Sequence, residues 1–373
     1  MRAAEPEVRF AHGSLDVLWR SESDAPAPGK LTTVDDRLNA EAAIKRVKGA
    51  HLLYEGDFRN AKQLLAAMGR RLGKGRRPEG RTLLEEFRAE RAARLREHET
   101  LSRIVVMLDA KYRLAQLKNA PDVAEACTAL WGPATQPTVI PLKALIGMLG
   151  AAEWARKGLQ VPGLPGKLYP RYGVFLPTRS EYVDLVLEAP RPEGKRVFDI
   201  GTGTGVLSFL LLSRGATRAI GTDTDPRAVA CALDNADRLG LSARFEAREQ
   251  ALFPDGRADL VVTNPPWIPE PPKNRIDRAV FDEDSAFLEG FLRGLPAHLT
   301  PEGEGWLVMS NLAELLGLRS ATSLAERFDA AGLEVKWTKS AGARHPRSKD
   351  AADPLHAARS KELTTLYCLG VRS

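Results

Sequence analysis

Long apolar runs, cysteines and histidines are all scarce in this 373-residue chain. No uninterrupted apolar stretch approaches the roughly 20 residues that a membrane-spanning helix requires, and MRAAEPEVRF at the start lacks the apolar segment of a secretory signal. We therefore expect a cytoplasmic protein that does not cross a membrane. The three cysteines, Cys127, Cys231 and Cys368, are far apart and odd in number, which fits neither a disulfide framework nor a closed metal site. The six histidines are scattered without ligand spacing, so no metal is predicted.

The formal net charge of +6 is spread unevenly along the chain. Residues 1–190 contain 30 Lys and Arg against 23 Asp and Glu, whereas residues 191–373 contain 24 against 25. The excess is densest in residues 43–118, which contain 19 basic and 9 acidic residues. A basic patch of this kind can meet RNA phosphates or an acidic protein surface, but Arg and Lys also serve as solvated helix faces. Both interpretations stay open.

The residue pattern divides the chain into four segments. Residues 1–40 have few periodic apolar positions and are predicted to form a loosely structured arm. In residues 41–157 the apolar residues recur three and four apart, which predicts a mostly helical, basic domain that docks or caps a substrate. Residues 158–190 are rich in Gly and Pro and are predicted to be a linker or a short hairpin. Strands alternate with helices in residues 191–373, which predicts an α/β domain with a doubly wound, largely parallel, Rossmann-like sheet.

Local signals within these segments give further predictions. The spacing of Thr82 and Glu85 predicts a capping box, and GKGRRPEGR at 73–81 is typical of an exposed basic loop. The acidic residues 282–284 are predicted to form a solvated cap before a helix, with contact to a charged substrate as the alternative. The polar segment 344–362 is predicted to be a mobile loop between the last two strands, with a lid over the substrate as the alternative.

The strongest chemical signal is VFDIGTGTG at 197–205. Its three glycines allow a sharp turn and let a ligand approach the main chain without meeting a Cβ atom. Asp199 precedes them on the first strand, where a carboxylate can accept a hydrogen bond from an ammonium group. Asp223 ends the second strand, 22 residues after Gly201, which is the position of an acid that binds ribose hydroxyls. A tight strand-to-helix turn without a ligand is the alternative.

The second signal is VVTNPPW at 261–267. Two consecutive prolines remove two backbone donors and stiffen the loop after the strand, so its carbonyls are free. Asn264 adds an amide oxygen and Trp267 a flat apolar face, so the stretch suits a planar, nitrogen-bearing group. Strand ends of this fold open onto one crevice, which would bring both signals together. A rigid turn is the alternative, because Asn-Pro commonly marks turns.

Together these motifs resemble those of class I S-adenosylmethionine-dependent methyltransferases, closest in pattern to the HemK/PrmC-like and small-domain N-methyltransferases. The glycine spacing here is G-x-G-x-G, whereas a nicotinamide-binding Rossmann domain has G-x-G-x-x-G. The resemblance covers roughly residues 170–373. It implies S-adenosyl-L-methionine as the cofactor and transfer of a methyl group to nitrogen.

The resemblance implies a role for each motif residue. The implied cofactor-binding residues are Asp199, Gly201, Thr202, Gly203, Gly205, Asp223, Gln250 and Asn264. Among them, Asp199 and the turn would hold the amino-acid end of the cofactor, and Asp223 would bind both ribose hydroxyls. Relatives often have an acid before the Leu-Phe of the adenine-contacting loop; this chain has Ala251 there, so Glu249 or Gln250 is expected to make that contact.

The resemblance also implies a catalytic group of Asn264, Pro265 and Trp267. Asn264 and the Pro265 carbonyl would accept hydrogen bonds from the target nitrogen, while Trp267 would stack on the target plane. Amide and exocyclic amine nitrogens are poor nucleophiles because their lone pairs are conjugated. Two acceptors aimed at the N–H groups would orient the lone pair, so catalysis would rest on positioning and electrostatics.

The sequence leaves the methyl acceptor open among three classes. A protein glutamine is slightly favoured, since a helical domain followed by a hairpin-like linker is the arrangement of the glutamine methyltransferases. The alternatives are an rRNA or tRNA base and a small molecule; a non-catalytic cofactor-binding module is disfavoured because the Asn-Pro-Pro-Trp motif is complete. The segment at 177–181, PTRSE, occupies the place of the Pro-Arg-x-x-Thr-Glu segment of glutamine methyltransferases but differs in its letters.

Overall fold

The structure is a computed structural model that describes residues 8–12, 15–21, 27–73, 82–175, 180–273 and 276–372. The chain forms two compact units. The first unit comprises residues 1–80 and 88–153, and the second comprises residues 81–87 and 154–373. None of the helices in the described ranges combines the length and apolar character that a bilayer crossing requires.

The first unit is built on a six-stranded mixed sheet with the order β1-β2-β6-β5-β4-β3. Its strands are β1 Val8–His12, β2 Leu15–Trp19, β3 Leu31–Val34, β4 His51–Tyr54, β5 Ile104–Leu108 and β6 Thr138–Pro141. Its helices are α1 Ala40–Arg46, α2 Phe58–Leu72, α3 Leu83–Ser102, α4 Ala124–Trp131 and α5 Leu142–Lys157, of which α3 and α5 extend into the second unit. Strands β3, β4 and β5 are parallel neighbours, and β5 pairs antiparallel with β6.

This architecture corrects two predictions for the N-terminal part of the chain. The predicted arm at 1–40 contains three strands of the sheet, and the predicted helical domain at 41–157 contains three more. The error has a physical reason: every residue of β5 is buried, and a short run buried on both faces has no period of two to set it apart from a buried helix. Residues 52–54 in β4 are buried in the same way.

Helix boundaries in this part of the chain follow their local signals. The Glu85 carboxylate accepts from the Thr82 backbone N–H at 2.8 Å, and the Thr82 hydroxyl accepts from the Glu85 N–H at 3.3 Å, which confirms the capping box at the start of α3. Helix α2 ends at Gly73, as its sequence predicts. The rest of the predicted basic loop, residues 74–81, lies outside the described residues.

The second unit contains a seven-stranded sheet with the order β11-β10-β9-β12-β13-β15-β14, and a separate hairpin. The hairpin pairs β7 Leu159–Gln160 with β8 Lys167–Leu168. The sheet strands are β9 Arg196–Ile200, β10 Arg218–Asp223, β11 Phe245–Glu249, β12 Ala258–Thr263, β13 Leu299–Ser310, β14 Leu333–Gly342 and β15 Leu363–Val371. The helices are α6 Glu181–Glu188, α7 Val206–Ser213, α8 Pro226–Arg238, α9 Ala286–His298, α10 Leu312–Leu315, α11 Ser323–Ala330, α12 Pro346–Lys349 and α13 His356–Arg359.

The large sheet confirms the predicted doubly wound α/β fold. Strands β11, β10, β9, β12 and β13 pair parallel with one another in that order, and β15 pairs antiparallel with both β13 and β14. The chain runs outward from β9 through β10 to β11 and then returns to place β12 on the other side of β9. This reversal between β9 and β12 is a topological switch point, where folds of this kind bind ligands at the carboxyl ends of the strands.

Two apolar clusters cover the opposite faces of this sheet. One contains α6 and α7 with Val197, Ala219 and Val262, and the other contains α9 with Phe198 and Val261. Neighbouring residues of one strand therefore point to opposite faces, as the pleat of a strand requires. The last residues of β9, β10 and β12 emerge between the two layers at one edge of the sheet.

The predicted loop at 344–362 is more regular than its polar composition suggested. It contains α12 and α13, and its only strongly apolar residue, Leu355, is buried together with Ala358 in a small cluster that also holds Ile268. The Asp353 carboxylate accepts from the Leu355 backbone N–H at 2.9 Å and pairs with Arg359. The segment is therefore not a loop without regular structure, since it contains two short helices with one buried apolar residue and one buried carboxylate.

Candidate functional site

The predicted glycine turn follows β9 directly. Gly201, Gly203 and Gly205 have φ angles of 73°, 56° and 85°. Residues other than glycine rarely adopt this left-handed backbone conformation. A Cβ atom on Gly205 would lie 2.4 Å from the Phe209 ring, whereas one on Gly203 would meet nothing within 4 Å. Gly205 is therefore required by packing, and the main chain at Gly203 is open to the approach of another molecule.

Asp199 is almost completely buried, with 1% of its surface exposed. Its Oδ2 accepts from the Thr202 hydroxyl at 2.8 Å and from the Ser208 hydroxyl and backbone N–H at 2.7 and 3.1 Å. Its Oδ1 is buried and has no hydrogen-bond partner within the described ranges. Burial raises the pKa of Asp199, and the three hydrogen bonds oppose that rise. A buried carboxylate oxygen without a donor is costly, so it suits a cationic or N–H-bearing partner.

Asp223 lies at the end of β10 beside the glycine turn. Its Oδ2 accepts from the Gly203 backbone N–H at 3.0 Å, and its Oδ1 accepts from the Asp225 N–H at 2.9 Å. Burial raises the pKa of Asp223 as well, against the effect of these backbone hydrogen bonds. Each carboxylate oxygen has a further lone pair, so the group can still accept from an additional donor. The structure thus joins Asp223 to the turn through the main chain.

The Asn-Pro-Pro-Trp segment begins where β12 ends, next to the same turn. Thr263 pairs with Ile200 across the two strands, and its hydroxyl donates to the Ile200 carbonyl at 2.7 Å. Asn264 Oδ1 accepts from the indole Nε1 of Trp267 at 3.1 Å, and Trp267 packs against both apolar clusters of the unit. The oxygen of Asn264 retains a second lone pair for another donor. Trp267 therefore fixes the orientation of the Asn264 amide, a contact that the sequence did not indicate.

Gln250 follows β11 and shapes the neighbouring loop. Its backbone N–H donates to the Asp223 carbonyl at 3.0 Å, and its side-chain Nε2 donates to the Phe253 carbonyl at 2.7 Å. Leu252 in this loop has a φ of 57°, and its carbonyl accepts from the Thr222 hydroxyl at 2.5 Å. Positive φ at a leucine is a strained conformation of the kind found near functional sites. That Gln250 contacts an adenine ring stays a prediction.

Residues 282–288 form a helix cap that also reaches the glycine turn. The Asp282 carboxylate accepts from the backbone N–H groups of Phe287 and Leu288 at 2.9 and 3.1 Å, so a cap precedes α9 as predicted, but its carboxylate is not solvated. Asp282 is buried, and burial raises its pKa. A Cβ atom on Gly201 would lie 3.4 Å from the Phe287 ring, so this half-buried aromatic side chain borders the turn. Phe287 was not predicted, because only the fold brings it to the site.

The fully buried side-chain amide of Asn235 forms a hydrogen bond to the main chain of the glycine turn. Asn235 on α8 donates from Nδ2 to the Thr204 carbonyl at 3.1 Å and accepts at Oδ1 from the Tyr169 backbone N–H at 2.8 Å. At Gly221 on β10, a Cβ atom would lie 2.7 Å from the Thr202 hydroxyl. The small residue in the strand therefore allows Thr202 to reach Asp199.

The structure brings the predicted residues of three strand ends to one edge of the sheet. In the strand register, Asp199 lies between Gly221 of β10 and Val262 of β12. Within the described residues, no group of three or more His, Cys, Asp or Glu side chains is arranged to hold a metal ion. The PTRSE segment lies mostly outside the described residues, since residues 176–179 are not among them.

Comparison with known proteins finds sequence similarity to methyltransferases around this site. Residues 184–265 match the family model described as ribosomal protein L11 methyltransferase (PrmA). The second unit is similar in sequence to methyltransferases. The match includes Asp199, the turn, Asp223 and Asn264, and it ends two residues before Trp267. The remaining parts of the chain lie outside it.

Individual relatives agree with this match. The chain is 33% identical to the release factor glutamine methyltransferase of Cereibacter sphaeroides, over 42% of this chain and 59% of the relative. It is 32% identical to the ribosomal protein L11 methyltransferase of Pectobacterium atrosepticum, over 41% of this chain and 46% of the relative. A putative protein N5-glutamine methyltransferase of Methanocaldococcus jannaschii is 29% identical, over 41% of this chain and 80% of that protein. These matches confirm the resemblance read from the motifs, although the chain spans only about half the length of the first two relatives.

Solved structures give more distant likenesses. A ribosomal protein L11 methylase from Lactobacillus delbrueckii subsp. bulgaricus is 16% identical with a TM-score of 0.36, covering 51% of this chain and 76% of that chain. A putative RNA methyltransferase from Pyrococcus horikoshii is 19% identical with a TM-score of 0.39, covering 60% of this chain and 100% of that chain.

Proposed function

We propose that the chain is an S-adenosylmethionine-dependent methyltransferase that acts on a planar amide or amine nitrogen. The observation that carries this proposal is the unpartnered Oδ1 of Asp199, buried beside an open glycine turn at the switch point of the sheet. The neighbouring strand ends in Asn-Pro-Pro-Trp, so a cofactor site and an acceptor site would share one crevice. The similarity of residues 184–265 to methyltransferases supports the same function.

The residues at the turn fit the proposed cofactor. An ammonium group near Asp199 Oδ1 would satisfy that oxygen and compensate its buried charge. Asp223 has spare lone pairs for ribose hydroxyls, and the open main chain at Gly203 leaves space beside it. Bound at this site, S-adenosylmethionine would supply an electrophilic methyl group on its sulfonium. The cofactor-binding roles of Thr202 and Gln250 would be indirect, since Thr202 holds Asp199 and Gln250 holds its own loop.

The acceptor side would act by orientation. Asn264 Oδ1 and the Pro265 carbonyl are acceptors for the N–H groups of the target, and they would turn its lone pair toward the methyl group. The Trp267 indole donates to Asn264, which fixes the amide before the target arrives and avoids reorganisation during the reaction. As the nitrogen gains the methyl group it would release one N–H proton, along the hydrogen bond to the Asn264 or Pro265 oxygen and from there to solvent.

For the methyl acceptor we favour a protein glutamine side chain. Two of the relatives are named as glutamine methyltransferases, and the first unit would provide a macromolecular docking surface. An rRNA or tRNA base is the second candidate, supported by the basic excess of residues 43–118 and by the ring of Trp267, on which a base could stack. A small molecule is the third candidate, for which the first unit would only cap the pocket.

One experiment separates these acceptors. The purified protein is incubated with methyl-labelled cofactor and cell extract, and label is then measured in protein, RNA and small molecules. Label in a protein band that is lost in Asn264→Ala supports the favoured acceptor, whereas label in RNA or small molecules selects the second or third. No transfer to any fraction, together with no cofactor binding by calorimetry, would contradict the proposed function.

If RNA is the acceptor, its binding must depend steeply on salt. The logarithm of the binding constant should fall with the logarithm of salt concentration by about 0.7 to 0.9 per phosphate contacted. A protein partner with a mainly apolar interface would show a much flatter dependence. Filter binding between low and moderate salt therefore distinguishes the two macromolecules without requiring turnover.

A further inference from the structure

A second cavity lies at the amino ends of the parallel strands, away from the glycine turn. Its volume is about 310 Å³, and it is lined by the first residues of β9 and β10, Arg196 and Arg218, together with the loop after β11. The glycine turn follows the last residue of β9, at the other end of that strand. At about 3.3 Å per residue, the two sites are separated by most of the length of the strand. The cavity is therefore not part of the proposed methyl-transfer site.

The cavity lies on the face of these strands that α7 and α8 do not cover. Helices α7 and α8 pack against β9, β10 and β11 on the side that carries Val197 and Ala219. Phe198 and Ile220 are direct neighbours on the opposite side, where they line the cavity. The connection from β11 to β12, residues 250–257, contains no helix. Part of this face, including Phe198, is buried in the cluster that contains α9, and the cavity lies beside that cluster, where the connection has no crossover helix.

The rim of the cavity contains an arrangement that costs stability. Arg196 and Arg218 are directly paired residues of neighbouring strands, and like charges at such positions repel each other. Their side chains are 61% and 62% exposed. Arg196 lies 3.9 Å from Asp259, while Arg218 and Arg248 share Glu246 at 3.2 and 2.7 Å. The arginines thus outnumber their carboxylate partners at this rim.

The loop side of the cavity adds one further arginine and one further carboxylate. Arg257 lines it and donates to the Leu299 carbonyl at 2.9 Å, a neutral partner that leaves its charge uncompensated. Asp255 is the second carboxylate of the lining, after Glu246. With Asp259, the partner of Arg196, four arginines face three carboxylates, which leaves an excess of one positive charge for an anionic ligand.

We propose that this cavity binds the phosphate group of a nucleotide. Guanidinium groups present planar forks of N–H donors that match phosphate oxygens, and they bind phosphate more specifically than ammonium groups do. The half-buried side chain of Ile220 provides an apolar floor for the base or ribose between the charged groups. The nucleotide can be free or can be one residue of an RNA strand, since both present the same chemistry.

The test is calorimetric titration of the full-length chain at low ionic strength with four probes. The probes are uridine 5′-monophosphate, uridine, inorganic phosphate and a single-stranded oligouridylate. Uridine compounds are used because an adenine nucleotide could also enter the proposed cofactor crevice. The variant is Arg196→Gln/Arg218→Gln, which removes the repelling pair. The matched control is Arg191→Gln/Arg372→Gln, which changes two exposed arginines of the same unit that have their own carboxylate partners.

We expect the monophosphate to bind, uridine not to bind, and the variant to bind the monophosphate at least about tenfold more weakly than the wild type or the control. The melting temperature of the variant should be unchanged or higher because the repulsion is relieved, a result that a purely structural role of the two arginines would not give. If the oligouridylate binds more tightly than uridine 5′-monophosphate, and this binding depends on the two arginines, the natural ligand is an RNA strand. If the oligouridylate and the monophosphate bind equally tightly, the natural ligand is a free nucleotide. If inorganic phosphate binds as tightly as uridine 5′-monophosphate, the apolar floor does not contribute to binding, and the cavity binds phosphate rather than a nucleotide. The proposal is overturned if no phosphate-bearing probe binds, or if all of them bind the variant as tightly as the wild type.

Discussion

The two sides of the proposed methyl-transfer crevice are held in different ways. On the side of β9 and β10, Asp199 and Asp223 each receive hydrogen bonds from backbone N–H groups, of Ser208 and Gly203 among others, and Asp199 receives the hydroxyls of Thr202 and Ser208 in addition. On the side of β12, the Asn264 amide is oriented by another side chain, the indole of Trp267. Main-chain partners persist when a neighbouring side chain is replaced, whereas a side-chain partner does not. Replacements on the first side should therefore change cofactor affinity, and replacements on the second should change turnover.

The largest effect is expected for Asn264→Ala. Turnover should fall by about 10²–10³, as for removal of one preorganised polar group, because the lost acceptor acts on the target nitrogen in the transition state. Cofactor affinity should change little, since Asp199, Asp223 and the glycine turn remain. Single-turnover kinetics and calorimetry with S-adenosylhomocysteine measure the two quantities separately.

Asn264→Asp is the control for this variant, because it keeps the acceptor oxygen and adds a charge. Partial activity is expected from it. Full turnover in Asn264→Ala on the true substrate would mean that the Asn-Pro-Pro-Trp segment is only a rigid turn. The β12 side of the crevice would then not take part in catalysis.

The second effect is expected for Asp223→Ala, on the cofactor side. Loss of two charge-assisted hydroxyl contacts should weaken cofactor binding by about 2–3 kcal/mol, or roughly 30- to 150-fold. At saturating cofactor, turnover should recover most of its wild-type value. Asp237→Ala, on the exposed surface of α8, is the matched control and should bind normally. Unchanged affinity in Asp223→Ala by calorimetry would reject its assignment to the ribose.

Much of this site could be predicted from the sequence because its signals are local. A glycine turn after an apolar strand, and acidic or amide residues at strand ends, depend on neighbours along the chain, and a doubly wound sheet collects such ends at one edge. Phe287 and Asn235 could not be predicted in this way. Their contacts with the turn join residues more than 30 positions apart, and neither lies in a motif of its own.

The strands of the first unit were missed for a different physical reason. Strand β5 is buried along its whole length, so IVVML has no polar alternation to indicate a strand. Helix α2, by contrast, has one buried and one exposed face, and it lies where apolar residues recur three and four apart. The spacing of apolar residues reveals a helix or strand that has one buried and one exposed face. A strand that is buried on both faces has no such spacing, so it becomes evident only from its hydrogen-bonded neighbours in the sheet.

A smaller effect is expected for Trp267→Phe, which keeps an aromatic ring but removes the indole N–H. The Asn264 amide would then lose its orienting donor, and turnover should fall by about five- to tenfold, the value of one ordinary hydrogen bond. Substrate affinity should be nearly unchanged if the ring itself carries the stacking contact. A fall in affinity without a fall in turnover would instead assign Trp267 to substrate binding alone.

The smallest effect is expected for replacement of Asp199. It should raise the stability of the protein without cofactor and at the same time weaken cofactor binding. Burial raises the pKa of Asp199, so the folded state binds its proton more readily than the unfolded chain does. The carboxyl group therefore favours folding most below the unfolded pKa of about 3.9, and this contribution is lost as the pH rises through the raised folded value. At neutral pH the charged form is a net cost to the protein without cofactor.

Asp199→Asn removes that charge and keeps an oxygen that can accept from Thr202 and Ser208. The melting temperature of the cofactor-free protein at neutral pH should rise by roughly 2–4 °C, the shift expected for about 1 kcal/mol, while cofactor binding weakens. Asp237→Asn, an exposed change on α8, should leave both unchanged. Scanning calorimetry at pH 4 and pH 7.5 gives the sharper test, because the gain should shrink as the pH falls toward the raised pKa of Asp199 and its carboxyl group takes up a proton in the folded state. If the melting temperature rises equally at both pH values, packing and not the buried charge accounts for the difference between Asp199→Asn and the wild type. Asp199 would then belong with the residues that only hold the turn in place.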